Sequence, residues 1–526
     1  MSSKKKSGSG NMAIATVLVM IGLIFSKCSG LLRDVLVGMK FSDTVYRDSF
    51  FLAFTIPDLV FNLLVGGSIQ SAITPSLSSA ISAGEEKKGW RAVNIFISVV
   101  GSVLVLVCIL GVVFSDQIFM LYASGKNNMD TIHLASQASK WLFPQIFFMM
   151  LAALCIGILN AYKRFSSTAF GPTVYNVFVL LSILIFAGNS ESKLTMTTCG
   201  IMGAAVIYFL FQFTIGFDKL KQLRFDFKPR DPEFIALFKR ALPILISASI
   251  VQVNTVVLNF FTGYFEDSGY ISALKNAATT WQLPYGIFAV AVGNVMLPSL
   301  AALYSEKKYS EASELLSSRL KSALFLTIPS AAIMFVMNKD VIKALFQWNS
   351  AYTEEDARRA GIFLMGYSIA IITHTVVFIM NQAFYAIGKT KVPLFAGCVG
   401  LISNPLFCTI FIKSGIGPLS LTLAYSLTSI FTLVILTVVY CRDKSIAPKG
   451  LSIFLVKSFG CMLIMSFVLF GLNKVIPVGT GKIMSLFFLA VKCGLAVIIY
   501  FAGALLLKMN EAVEFISGIK RKIFKR

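Results

Sequence analysis

Residues 12–39 read MAIATVLVMIGLIFSKCSGLLRDVLVGM, an apolar run that nevertheless carries Lys27, Arg33 and Asp34. A membrane helix needs about 20 predominantly apolar residues. Ionisable groups at that depth are costly unless they face a bundle interior or a water-filled cavity. The stretch therefore predicts a membrane helix whose polar side serves a charged species. At about 100° per residue, Lys27 and Asp34 share a face while Arg33 sits about 120° from Lys27, with Gly30 between them able to absorb a bend. The plainer alternative is that Arg33 pairs with Asp34 or snorkels to the interface near Lys40.

The same pattern extends over the whole chain of 526 residues, which is 56% hydrophobic and 14% charged, with a mean hydropathy of +0.78. Soluble domains carry roughly 25% charged residues, so a soluble globular fold is excluded. Fourteen apolar stretches qualify as spans, at 12–39, 49–82, 92–114, 139–161, 170–188, 197–217, 236–264, 269–303, 321–337, 360–387, 392–412, 417–440, 451–471 and 483–507. An even number returns both ends to one side, and loop charge identifies that side. Of the 47 Lys and Arg residues, 30 fall on the side of the N terminus, 12 on the other and 5 within or at the edges of spans. This bias predicts a multi-pass membrane protein with both termini cytoplasmic. The net charge of +22 belongs to these loops and gives no argument for nucleic acid. The C-terminal segment sets Lys520, Arg521 and Lys522 beside Phe515, Ile516 and Ile519, either a basic helix on anionic membrane lipids or the inside signal of the last span.

Internal repetition refines the fold class. Pro75-Ser76-Leu77 and Pro298-Ser299-Leu300 stand 223 residues apart, as do Tyr162 and Tyr385, each ahead of a short basic turn. That offset carries span two onto span eight and span four onto span ten, an even shift that preserves orientation. The expectation is an all-α polytopic membrane protein in which two parallel-repeat six-helix lobes surround a central cavity. The lobes are 12–217 and 236–440, joined by a basic linker at 218–235. Residues 1–11 form an N-terminal tail, 451–507 two appended helices and 508–526 a basic C-terminal helix.

Span two contains Pro57, Asp58, Asn62, Gly66, Gly67 and Gln70, which break an otherwise apolar helix. Broken helices at membrane depth are tolerated where they line a cavity. Span eight repeats the theme with Lys275, Asn276, Thr279, Thr280, Gln282, Pro284, Gly286 and Asn294. Asp34 and Asp58 are the carboxylates clearly within spans, with Asp48 at a border; spans seven, eleven and twelve have none. Ser247, Ser249, Asn254 and Asn404 alone would make a weak sodium site. The two histidines, His133 in an outer loop and His374 in span ten, assemble no metal site or triad, and His374 reads as a packed polar residue. No G-x-x-x-x-G-K-[ST] loop occurs. The nine cysteines sit mostly in apolar runs and read as small hydrophobes. Neither a metal nor a cofactor is expected, and the chain reads as a transporter rather than an enzyme.

The runs SKCSGLLRD at 26–34 and DSFFLAFTIPDL at 48–59, with Gly67, Gln70, Ser71, Pro75, Leu283-Pro284-x-Gly286 and Leu297-Pro298-Ser299-Leu300-Ala301, resemble the MurJ (MviN) family of lipid II flippases. That family's pattern reads approximately S-R-x-x-G-x-x-R-D, then D-A-F-F-x-A-F-x-x-P-N-L. The resemblance implies the multidrug/oligosaccharidyl-lipid/polysaccharide exporter (MOP) superfamily fold, with a cationic cavity between two six-helix lobes and a groove for a polyprenyl tail on spans thirteen and fourteen. It implies the bacterial cytoplasmic membrane and, as cargo, the undecaprenyl-diphosphate-linked peptidoglycan precursor, with cell-wall synthesis proteins as further partners. Arg33 and Asp34 match the family's Arg-Asp pair, and Lys27 stands where an arginine is usual. The chain departs from the pattern at Phe61-Asn62, where an Arg pair is usual, at Gly66 in place of Glu, and at Ala277-Ala278-Thr279 in place of A-D-R. Lys275, four residues before Thr279 and on nearly the same face, supplies a charge there.

The expected mechanism is alternating access. Lys27, Arg33 and Lys275 hold the diphosphate, and Asp34 orients Arg33 or gates the outer opening. Asn62, Gln70, Gln282 and Asn294 make neutral contacts to the headgroup, and Gly30, Pro57, Asp58, Gly66, Gly67, Pro284 and Gly286 act as gate or hinge. Membrane potential rather than sodium is the expected driving force. The alternatives are a flippase for another polyprenyl-linked glycan, such as a polysaccharide or teichoic-type repeat unit, a membrane glycosyltransferase using loop carboxylates such as Asp43 or Glu354-Glu355-Asp356, and a drug exporter.

Overall fold

The computed structural model describes residues 28–65, 73–123, 129–164, 170–265, 267–442, 450–475 and 481–523. Lys27, Gly66, Gly67 and Gln70 lie outside the described residues. Regular structure among the described residues is helical throughout. Among the described residues, ten helices are long and apolar enough to cross a membrane, and two shorter apolar helices accompany them.

The chain divides into two compact units, at Ile271/Ser272. The first holds α1 (28–40), α2 (Thr44–Ala53), α3 (Thr55–Leu64), α4 (Thr74–Ser82), α5 (Glu86–Val113), α6 (Ser115–Met120), α7 (Met129–Ala161), α8 (Gly171–Phe186), α9 (Glu191–Ile215), α10 (Phe217–Leu220) and α11 (Pro232–Thr262). Helix α7 is its central post, packed against α9, α2 and α5. Helix α11 packs on α3, where Asn259 donates to the Thr55 hydroxyl at 3.0 Å.

Span two is broken, as its composition predicts. The helix restarts at Thr55, which sets Pro57 in the first turn of α3, where a missing N–H leaves no hydrogen bond unmade.

The second unit begins within α12 (Tyr270–Pro284), which passes into a π-helical turn at Tyr285–Val290 and then α13 (Ala291–Ser305). Pro284 has no N–H to give the carbonyl one turn back, and its ring crowds that carbonyl. The ladder resumes one residue out of step. The proline therefore sits at a widened turn. There follow α14 (Tyr309–Val336), α15 (Asn338–Phe346), α16 (Glu354–Ala386), α17 (Lys391–Lys413), α18 (Leu419–Arg442), α19 (Leu451–Val475), α20 (Lys482–Leu506) and α21 (Asn510–Ile523). Helix α16 packs on α18 and α14, and the final pair α19 and α20 pack on each other and on α14.

These helices are apolar on nearly every side. Phe467 of α19, for example, is 82% exposed, as expected where the surroundings are lipid. Their association depends on close backbone approach at small residues. A Cβ at Gly200 would sit 2.2 Å from the Ser182 Oγ, and one at Gly366 would sit 2.1 Å from the Thr422 Oγ1.

Replacing Gly366 by leucine should therefore separate α16 from α18 and cost about 1–3 kcal/mol. The check is the thermal midpoint of the purified protein in detergent, and an unchanged midpoint would show that the contact is not tight.

Candidate functional site

Arg33 and Asp34 are neighbours on α1, so their side chains leave the helix about 100° apart. The long arginine arm folds round to meet the carboxylate: Nε donates to Asp34 Oδ1 at 2.9 Å and a terminal nitrogen lies 2.8 Å from the same oxygen. Asp34 is 1% exposed and Arg33 is 26% exposed. The carboxylate is thus a buried anchor, and the guanidinium keeps part of its fork for another acceptor. Asp58, exposed in the first turn of α3, and Tyr175 of α8 interact electrostatically with Arg33. Gln145 of α7 in turn donates to the Tyr175 hydroxyl at 2.8 Å. Residues of α1, α3 and α8 thus interact with one guanidinium, and α7 joins them through Tyr175.

The structure brings together Arg33, Asp34 and Asp58 from the sequence-derived candidates. Tyr175 and Gln145 carried no sequence signal, being isolated polar residues in apolar runs. Asn62 is half-buried, its amide donating to the Asp58 carbonyl at 2.8 Å. Gly30 has open space where a Cβ would stand, and Pro57 is buried. One guanidinium and two carboxylates make this described group formally anionic.

In the second unit, Lys275, Thr279 and Gln282 follow the i, i+4, i+7 spacing of one helical face. Lys275 is half-buried and Gln282 exposed. The opposite face is buried: Asn276 donates to the Tyr352 hydroxyl at 3.2 Å, and Thr280 bonds back to the Asn276 carbonyl at 2.7 Å. Trp281 packs with Tyr285, Tyr367, His374 and Tyr425 at ring separations of 5.4, 5.7, 5.5 and 6.1 Å. His374 stacks on Tyr425 at 5.1 Å and 16°, the packed role expected of it. Pro284 is buried, Gly286 sits in the π turn with open space beside it, and Asn294 is exposed beyond that turn.

Asp48, left at a border by the sequence, is buried. Its Oδ2 accepts from the amides of Gly269 at 2.7 Å and Ile271 at 3.4 Å, capping the start of α12 from a helix more than two hundred residues away. Thr44 and Ser268 exchange a 2.5 Å hydrogen bond beside it. Gly269 takes a φ of +98°, which favours glycine there.

The loop carboxylates considered for catalysis are engaged in caps and ion pairs. Asp43 caps α2 through the Val45 amide at 2.9 Å. Glu354 bridges Lys339 and Lys343 at 2.7 and 2.8 Å, Glu355 binds Arg358 and Arg359, and Asp356 completes a capping box with Thr353.

The model of the family described as "Lipid II flippase MurJ" matches residues 39–492. A Buchnera aphidicola (subsp. Acyrthosiphon pisum) protein described as "Probable lipid II flippase MurJ" is 26% identical over 489 residues, covering 91% of this chain and 94% of its own. A Burkholderia cenocepacia "Lipid II flippase MurJ" is 26% identical over 414 residues, 76% of this chain and 78% of its own. Among solved structures, "Lipid II flippase MurJ, inward closed conformation" superposes with a TM-score of 0.78 at 24% identity, covering 94% of this chain and 99% of the other. An inward-facing multidrug resistance MATE family transporter of the MOP superfamily gives 0.67 at 12% identity, covering 82% and 98%. The chain thus has the exporter-superfamily fold that the motifs implied.

Removing the Asp48 acceptor should expose the start of α12. Asp48→Ala should speed amide hydrogen exchange at residues 268–271 by about tenfold or more, the scale of a lost buried hydrogen bond. Asp48→Asn, which keeps one oxygen, should have a smaller effect. Unchanged exchange in Asp48→Ala would remove the capping role.

Proposed function

The chain belongs to the lipid II flippase MurJ family, and from that membership we propose that it carries the undecaprenyl-diphosphate-linked peptidoglycan precursor from the inner to the outer leaflet of a bacterial cytoplasmic membrane. The observation that carries this reading into chemistry is the partly exposed Arg33 guanidinium held on buried Asp34. A diphosphate leaving water needs charge-assisted hydrogen bonds in its place, and a pre-oriented guanidinium supplies two in parallel.

In this mechanism Arg33, Lys27 and Lys275 hold the diphosphate, while Asp34 fixes the rotamer of Arg33. Asn62, Gln70, Gln282 and Asn294 contact the headgroup. Gly30, Pro57, Asp58, Gly66, Gly67, Pro284 and Gly286 act as the gate or hinge positions at which helices bend as access alternates. The polyprenyl tail stays in lipid along the final helix pair, and both termini face the cytoplasm, in line with the positive-inside bias. No catalytic step is required, and the loop carboxylates bound up in caps and ion pairs support that view.

An inside-negative potential favours outward movement of anions by about 2.3 kcal/mol per charge per 100 mV. Two charges on a diphosphate would gain about twice that if they crossed the whole field, enough to set direction without an ion site. A flippase for another polyprenyl-diphosphate glycan is the second reading, favoured by Ala277-Ala278-Thr279 standing where the family pattern has A-D-R.

Expression in cells whose own lipid II flippase can be shut off should restore survival and deliver lipid II to the outer leaflet. Failure of a well-inserted protein to do so would point to the second reading. Arg33→Gln and Lys275→Gln should each lower translocation about tenfold or more, and full activity in both would remove the assigned roles. Collapsing the potential should stop translocation while collapsing the sodium gradient alone should not; the reverse result would overturn the proposed coupling.

A further inference from the structure

Between α10 and α11 the chain leaves helical structure over 223–228 and is tied along α5. Asn94 donates to the Gln222 carbonyl at 3.2 Å and accepts from the Arg224 amide at 3.1 Å. Ser98 accepts from the Asp226 amide at 2.8 Å. Both side chains are buried, 8% and 3% exposed, so the strap is fixed from beneath by buried polar groups.

Beneath and beside the strap lies a cavity of about 480 Å³, lined chiefly by Ile97, Gly101, Val105, Phe147, Leu151 and Arg224. That size falls within the range of about 300–1,000 Å³ typical of small-molecule sites. Its lining is mostly apolar, with Ser98, Ser102 and Arg224 as the polar residues. Phe225, 77% exposed, also lines the cavity and stacks on Phe227 at 6.4 Å.

The charges around the strap are unevenly matched. Asp226 pairs with Lys228 at 2.9 Å, and Asp231 pairs with Arg91 at 2.9 Å. Asp218 is held by both terminal nitrogens of Arg164 at 2.8 and 2.7 Å, a contact that keeps its carboxyl below the usual range. Lys221, Arg224 and Arg230 have no carboxylate within bonding distance among the described residues. A mostly apolar trough lined by Arg224, which has no carboxylate partner among the described residues, and flanked by further cations and exposed aromatic rings matches an amphiphile with an anionic head.

We propose that this trough is a binding site for an anionic glycerophospholipid, with one acyl chain along α5 and α7 and the phosphate at Arg224. The site is separate from the Arg33 group and requires only that the chain spans a membrane. It can therefore fail while lipid II transport stands, and the reverse.

The test is native mass spectrometry of the purified full chain in detergent doped with either phosphatidylglycerol or phosphatidylethanolamine, with lipid II translocation measured in parallel. The parent should retain phosphatidylglycerol about tenfold better, the scale of one charge-assisted hydrogen bond. Arg224→Gln should erase that preference, and Ser102→Trp, which fills the trough, should lose one retained lipid. Val105→Trp, at an exposed position of the same wall, gives the same readout if Ser102→Trp fails to fold. Translocation should persist in Arg224→Gln. Equal retention of the two lipids by the parent, a preference that survives Arg224→Gln, or an undiminished count in the folded tryptophan variants would each overturn the proposal.

Discussion

A peptide group in hydrocarbon has no water to bond, and this constraint shapes the chain at every level. It forces the backbone into helices, then turns the polar side chains inward upon those same helices. Ser98, Thr280, Thr327 and Thr375 each bond the carbonyl one turn behind them, so hydroxyls that would be liabilities in lipid become local and neutral. Small hydroxyl residues and glycines can then lie where helices meet, and the units hold together by contact distance without needing a water-driven core.

Charged groups that cannot be neutralised by their own helix stand out against that background. Asp34 and Asp48 are buried carboxylates from the first unit, and each has a defined partner. One holds a guanidinium on its own helix; the other reaches backbone amides far along the chain. Their jobs are distinct: the first presents a cation, whereas the second fixes where a helix begins. Both costs of burial are offset by hydrogen bonds to charged or aligned donors.

Much of this was legible in the amino-acid sequence. Apolar run length pointed to the helical membrane architecture, and the Arg33-Asp34 pairing was open to view as the plainer alternative for that dipeptide, although adjacent side chains on a helix diverge and the long arginine arm has to fold back to make it. Pro57 and Pro284 marked departures from regular helix, though not their forms: a restart in one case and a widened turn in the other depend on what the following residues pack against. The role of Asp48 was hidden because its donors, at Gly269 and Ile271, are backbone groups, which leave no trace in residue type. Tyr175 and Gln145 were hidden for a related reason, since one polar residue in an apolar run looks the same whether it meets a charge or merely packs.

The widened turn at Tyr285–Val290 amounts to one surplus residue in a continuous rod. At about 100° of rotation per residue, it uncouples the angular phase of Asn294 from that of Lys275 and Gln282. The two ends of this long helix are therefore free to answer to different neighbours. A sequence that lost one residue within 285–290 would keep every side chain that the site uses, yet aim those on α13 in a new direction. Indel tolerance there, rather than substitution tolerance, is the measure of how strictly the helix is phased.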